Sequence, residues 1–116
     1  MDRSKEERMD PKAEALMRAL STAFSNCPVD YRFAKELHRF RLEWGPTHWL
    51  YIARSFVDDH TEQEIHESVE RWRIADAFRN SQRSRWLFLG ERGVLEVDGN
   101  FGRDESGNKR RAPKGR

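Results

Sequence analysis

No stretch of this sequence approaches the roughly 18 to 20 consecutive apolar residues that a membrane span requires. The first ten residues, MDRSKEERMD, lack the apolar centre of a secretory signal. Both absences point to a chain kept in the cytoplasm or nucleus and away from membranes. A single cysteine, Cys27, excludes an internal disulfide and agrees with a reducing compartment. Nothing near it in sequence supplies a base, so it reads as a small apolar side chain rather than a catalytic thiol. Glycine is scarce before residue 90, where only Gly45 occurs, so there is no glycine-rich phosphate loop. There is also no nucleophile elbow, no His-Glu-x-x-His and no zinc-finger spacing. These absences argue for a non-enzymatic protein without a cofactor, a metal or catalytic residues.

What is present is charge and large aromatic rings. Charged residues make up 36% of the chain, as much as all the hydrophobic ones, so a core must be small and built from bulky side chains. Seven Phe, four Trp and two Tyr supply them. The charge is unevenly spread. Between residues 57 and 76 seven acidic side chains face two basic ones, whereas residues 77–116 carry ten basic and five acidic. Such asymmetry bears on partners and association rates rather than on fold.

The length suits one domain. Residues 1–9 are charged and without apolar periodicity and are expected to be disordered. Asp10-Pro11 reads as a helix start, an N-cap followed by a proline at the first position, with Ala13, Leu16, Met17, Leu20 and Phe24 on one face. A second helix is expected from Asp30, with Phe33, Leu37, Phe40 and Trp44 at helical spacing. Gly45-Pro46 then opens a helical hairpin. Its first arm carries Trp49, Leu50, Ala53, Phe56 and Val57, and its second carries Ile65, Val69, Trp72, Ala75 and Phe78. Thr61-x-x-Glu64 between them is a capping box. The expected fold is therefore mainly α, a small bundle of three to four helices over residues 10–98.

After Gln82 the pattern changes. Trp86-Leu87-Phe88-Leu89 and Val94-Leu95-Glu96-Val97 are two short apolar runs around Gly90 and Gly93, read as a β-hairpin at 86–97. The competing reading continues the preceding helix to Leu89 and stops it at Gly90. Residues 99–116 contain one large apolar residue and read as a disordered basic tail.

Three groups of residues invite a functional reading. Lys109, Arg110, Arg111, Lys114 and Arg116 could neutralise phosphates, with Arg83 and Arg85 adding positive charge and Trp86 offering a ring for base stacking. Arginine lies close to tryptophan elsewhere too, at Arg41 and Trp44 and around Trp72, where buried rings rimmed by arginine stems account for the pattern equally well. The acidic turn, Asp58, Asp59, Glu62, Glu64, Glu67 and Glu70, with His60 and His66 among them, is better suited to solvent or a protein with a basic surface than to a metal. Four tryptophans in a short chain also suit a homo-oligomer with some rings at its interface.

The segment from Phe78 to Gly102, with Trp86-Leu87 and the closing Val94-Leu95-Glu96-Val97-Asp98-Gly99-Asn100-Phe101, is faintly similar to the C-terminal ends of some phage replication proteins. Those carry a tryptophan-leucine pair followed by leucine, an acidic residue, glycine and an aromatic. The spacing is shorter here, and no residue role is carried over. The reading that follows from the residues is a nucleic-acid-binding accessory or regulatory protein, DNA or RNA undecided. Its rival is a protein-binding inhibitor or adaptor of the kind viruses and mobile elements encode, acting through residues 58–70.

Overall fold

The computed structural model describes residues 10–25, 27–99 and 101. Helix α1 (Pro11–Ala23) starts as its sequence dictates: the Asp10 side chain accepts the Lys12 N–H at 2.8 Å, and Pro11 takes the first turn, where no N–H is needed. The chain then forms three consecutive strands, β1 (Val29–Ala34), β2 (Leu37–Glu43) and β3 (Thr47–Ala53). Three short helices follow, α2 (Arg54–Asp59), α3 (Glu62–Arg71) and α4 (Ile74–Arg79). Strands β4 (Trp86–Gly90) and β5 (Gly93–Glu96) close the order.

The strands make one five-stranded sheet in sequence order, antiparallel except for the parallel pair β3 and β4. A parallel pair cannot be joined by a tight turn. Residues 54–85, with α2 to α4, supply the crossover and cover the sheet on the way.

This architecture overturns the mainly α bundle. The segment expected to be a second helix is the β1–β2 hairpin, and the expected first arm of a helical hairpin is strand β3 running into the short α2. The physical reason lies in the alternation. In β2, His38, Phe40 and Leu42 face the core while Arg39 and Arg41 lie between them; in β3, His48, Leu50 and Ile52 alternate with Trp49 and Tyr51. That period of two marks a strand. The helical spacing of Phe33, Leu37, Phe40 and Trp44 is a coincidence of the same letters.

The turn between β1 and β2 gives no warning either. Lys35 and Glu36 both adopt left-handed backbone, φ 55° and 63°, the demand of a tight two-residue hairpin turn usually met by Asn-Gly. The expected second helical arm is also split. Arg73 takes a left-handed conformation, φ 53°, between α3 and α4. Elsewhere local signals hold. Thr61 and Glu64 form the reciprocal capping box, and the 86–97 segment is a β-hairpin rather than a helix running on to Leu89.

The four described helices lie on one face of the sheet. Leu16, Leu20 and Phe24 from α1, Phe56 and Val57 from α2, Ile65 from α3, and Ile74 and Phe78 from α4 form one cluster with Phe40, Leu42, Leu50, Ile52, Leu87 and Leu89 of the strands. His48 is fully buried in it, stacked on Phe78 at 4.9 Å with its Nδ1 accepting the Arg85 N–H. Burial holds His48 below the ordinary histidine pKa, and the same is true of His38. Trp44 packs on Phe24 at the margin of this core, but Trp72, expected inside, is 47% exposed. Its indole lies on the β4–β5 turn, where a Cβ at Gly93 would come within 2.6 Å of it. Among the described residues no helix is long and apolar enough to cross a membrane.

Candidate nucleic-acid interface

A sheet covered on one side sends every second side chain to the other. At the centre of this sheet the uncovered side chains form two rows, with Glu43 and Thr47 beyond one and Leu37 and Ala53 beyond the other. The register places Asp30, Arg41, Trp49 and Trp86 opposite one another in the first row, and Arg32, Arg39, Tyr51, Phe88 and Leu95 in the second. The rows are two residues apart along each strand, about 6.6 to 6.8 Å. Across the rows the face divides into halves: strands β1 and β2 contribute three arginines, and β3 and β4 contribute four aromatic rings.

The halves meet in direct contacts. The Arg41 guanidinium carbon lies 5.8 Å from the centre of the Trp49 ring, and that of Arg39 lies 5.9 Å from the centre of Tyr51. Each is within cation–π range. Trp49 and Tyr51 are nearly parallel, 13° between planes, at 6.3 Å. Asp30 accepts from Arg41 and Glu43 lies 3.5 Å from it, so the cation is steadied beside the indole. Arg39 donates to the Ala34 carbonyl at 3.1 Å. Asp30, Arg32, Arg39, Arg41, Trp49 and Tyr51 are among the side chains that line a groove of about 600 Å³.

The chain after β5 returns across this face. Gly99 lies so close to the Trp86 indole that a Cβ there would be 3.1 Å from it. Phe101 sits 5.4 Å from Tyr51 and 5.2 Å from Phe88, ring centre to ring centre.

Of the residues singled out from the sequence, Trp86 belongs to this groove. Arg85 does not: one residue earlier in the chain, it makes a two-pronged salt bridge with Glu96 at 2.8 and 3.0 Å. Arg83 is exposed in the loop before β4, its N–H donated to Ser81. Lys109, Arg110, Arg111, Lys114 and Arg116 lie outside the described residues.

The acidic residues Asp58, Asp59, Glu62, Glu64, Glu67 and Glu70 are exposed on α2 and α3. Several have local duties. Glu64 completes the capping box, Asp58 pairs with Arg54, and Glu67 accepts from Gln63. Among the described residues no group of three or more His, Cys, Asp or Glu is arranged to hold a metal.

Sequence reasoning missed Arg32, Arg39, Arg41, Trp49, Tyr51 and Phe88, because it read their segments as helices or as core. The alternation of Arg39-Phe40-Arg41-Leu42 and His48-Trp49-Leu50-Tyr51-Ile52 carries the missing signal. Comparison with known proteins finds no matching family model and no match among curated proteins or solved structures.

Proposed function

We propose that this chain binds unpaired nucleic acid on the uncovered face of its sheet, with bases stacked on Trp49 and Trp86 and phosphates running beside Arg32, Arg39 and Arg41. The observation that carries the reading is the division of that face into an aromatic half and a cationic half. Single-strand binders need those two parts side by side: rings for the base faces and cations for the backbone. A face made only to meet water has no use for a run of aromatic rings, and one made only to pack has no use for arginines.

The arrangement also favours single strands over duplex. Bases inside a duplex are already stacked and present only their edges, which a flat aromatic floor cannot read. The role proposed is one of binding, that of an accessory or regulatory protein. Lys109, Arg110, Arg111, Lys114 and Arg116 would add to phosphate neutralisation in the full chain.

The test is an anisotropy titration of fluorescent ten-nucleotide oligothymidylate and oligouridylate, and of a matched duplex, at several salt concentrations. The full chain is compared with Trp49→Ala and Trp86→Ala. Each variant should bind single strands about 5- to 150-fold more weakly, the loss expected for one stacked base. Unchanged binding in both variants would move the contacts away from the sheet. No binding at any salt would leave the acidic residues of α2 and α3, and a basic protein partner, as the surface to pursue.

A further inference from the structure

We infer that Phe101 holds, within the chain itself, the place of a second stacked base, and that a longer single strand displaces it to reach Tyr51 and Phe88. This rests on the reading of the sheet face as a stacking surface for nucleic acid.

Tyr51 is the starting point. It belongs to the uncovered side of a central strand, yet it is only 4% exposed. Neighbours on its own face account for part of the cover, with Trp49 along the strand and Arg39 across it. Phe101 supplies more. Its ring leans on Tyr51 at 45° and on Phe88 at 56°, bridging the two aromatic positions of the second row. Trp49 and Trp86, in the first row, remain partly exposed and line the groove. The returning chain therefore meets the first row only with Gly99, beside Trp86, and the second with a full ring.

The segment that carries Phe101 is built to lie there and to leave. Val97 is tied to the sheet, its N–H donated to the Trp86 carbonyl at 2.8 Å. A short reach of chain follows before the ring. The Phe101 N–H is donated to the Asp98 carbonyl at 3.0 Å, a bond that closes within the turn and not onto a strand. Gly99 permits the close pass over Trp86, since any Cβ would meet the indole.

A tilted phenyl ring on two rings and a flat base on the same rings are contacts of similar strength. Exchange between them is close to balanced, and the phosphate contacts of Arg32 and Arg39 beside the second row tip it toward the strand. A base stacked on Trp49 alone leaves Phe101 in place, while a strand spanning both rows removes it.

The experiment measures binding of fluorescent ten-nucleotide oligothymidylate to the full wild-type chain and to Phe101→Ala and Phe101→Leu. Amide hydrogen exchange at residues 97–101 is followed with and without the same probe. Removing the competing ring should tighten binding about 2- to 10-fold in Phe101→Ala, with a smaller gain in Phe101→Leu, and the bound probe should speed exchange at the Phe101 amide in the wild-type chain.

Weaker or unchanged binding of Phe101→Ala, or slower exchange at Phe101 on binding, would overturn the inference while leaving the stacking face intact, because Phe101 would then be part of the floor. Binding that appears in Phe101→Ala but not in the wild type would support both readings. Absence of binding in every form would overturn both.

Discussion

The two faces of the sheet are built by the same strands, residue by alternate residue, and they differ in kind. On the covered side Phe40, Leu42, Leu50, Ile52, Leu87 and Leu89 pack against four helices, and among the described residues the buried polar side chains are His38 and His48. On the other side Arg39, Arg41, Trp49, Tyr51, Trp86 and Phe88 stand in register with none of those helices over them. The first face is explained by burial alone: it removes apolar area from water and so holds the fold together. The second is not, because its rings are steadied by cations instead of being closed over by aliphatic side chains. On the proposed reading, the groove between the rings and the arginines is the part of this face left for a ligand.

The sharpest way to break this comparison is to truncate one ring on each face. Phe40→Ala and Phe78→Ala remove fully buried rings and should each cost about 3 to 5 kcal/mol in urea unfolding. Trp49→Ala, with one side of its ring toward the groove, should cost less than about half of that and yet weaken single-strand binding far more than any core variant that still folds. Equal losses of stability on the two faces would make the open side a second core.

A smaller effect separates the aromatic half from the cationic half. Arg32→Gln or Arg41→Gln should lower the slope of log affinity against log salt by about 0.7 for each phosphate of a single strand that is no longer neutralised. Trp49→Ala should change affinity with little change in that slope. A salt series for the three variants checks both.

The covered face also predicts a pH response. Burial keeps His38 and His48 neutral, so both have folded pKa values below the ordinary 6.5. Asp10 and Asp58 oppose the shift at His38 and Arg54 adds to it; at His48 the Trp44 backbone opposes it and Arg85 adds to it. The Tyr31 hydroxyl, its own pKa pushed up to about 12 by burial and then by Asp10, stays protonated and shares a hydrogen bond with His38 Nδ1 at 2.7 Å. The unfolded chain therefore takes up protons first as pH falls through 6.5, and stability should decline from there until the folded histidines titrate. Urea midpoints between about pH 8 and pH 5 measure this. A flat profile would mean that the histidines are not held neutral by the fold.

The smallest effect concerns the turn that hid the sheet. Lys35→Asn combined with Glu36→Gly should relieve two left-handed residues and raise stability by about 1 kcal/mol, less what the exposed Glu36 salt bridge to Arg54 contributes.

That turn explains much of what the sequence did not disclose. Local signals with a side-chain mechanism were legible: Asp10-Pro11 at the start of α1, Thr61 and Glu64 at the start of α3, and the glycine-bounded hairpin at the end. Strands β1 to β3 were not, because Lys35-Glu36 carries no glycine or asparagine to mark a hairpin and because Phe33, Leu37 and Phe40 happen to fall at helical intervals. The candidate site was hidden for a related reason. Sequence adjacency pairs Arg41 with Trp44, whereas strand register pairs it with Trp49, so a stacking face assembled across four strands left only Trp86 visible in advance.

The most direct measurement is photocrosslinking of a ten-nucleotide single strand containing thiothymidine to the full chain, with the attached peptides identified by mass spectrometry. The account predicts crosslinks at Trp49, Tyr51 and Trp86. Crosslinks confined to residues 102–116, or to α2 and α3, would contradict it.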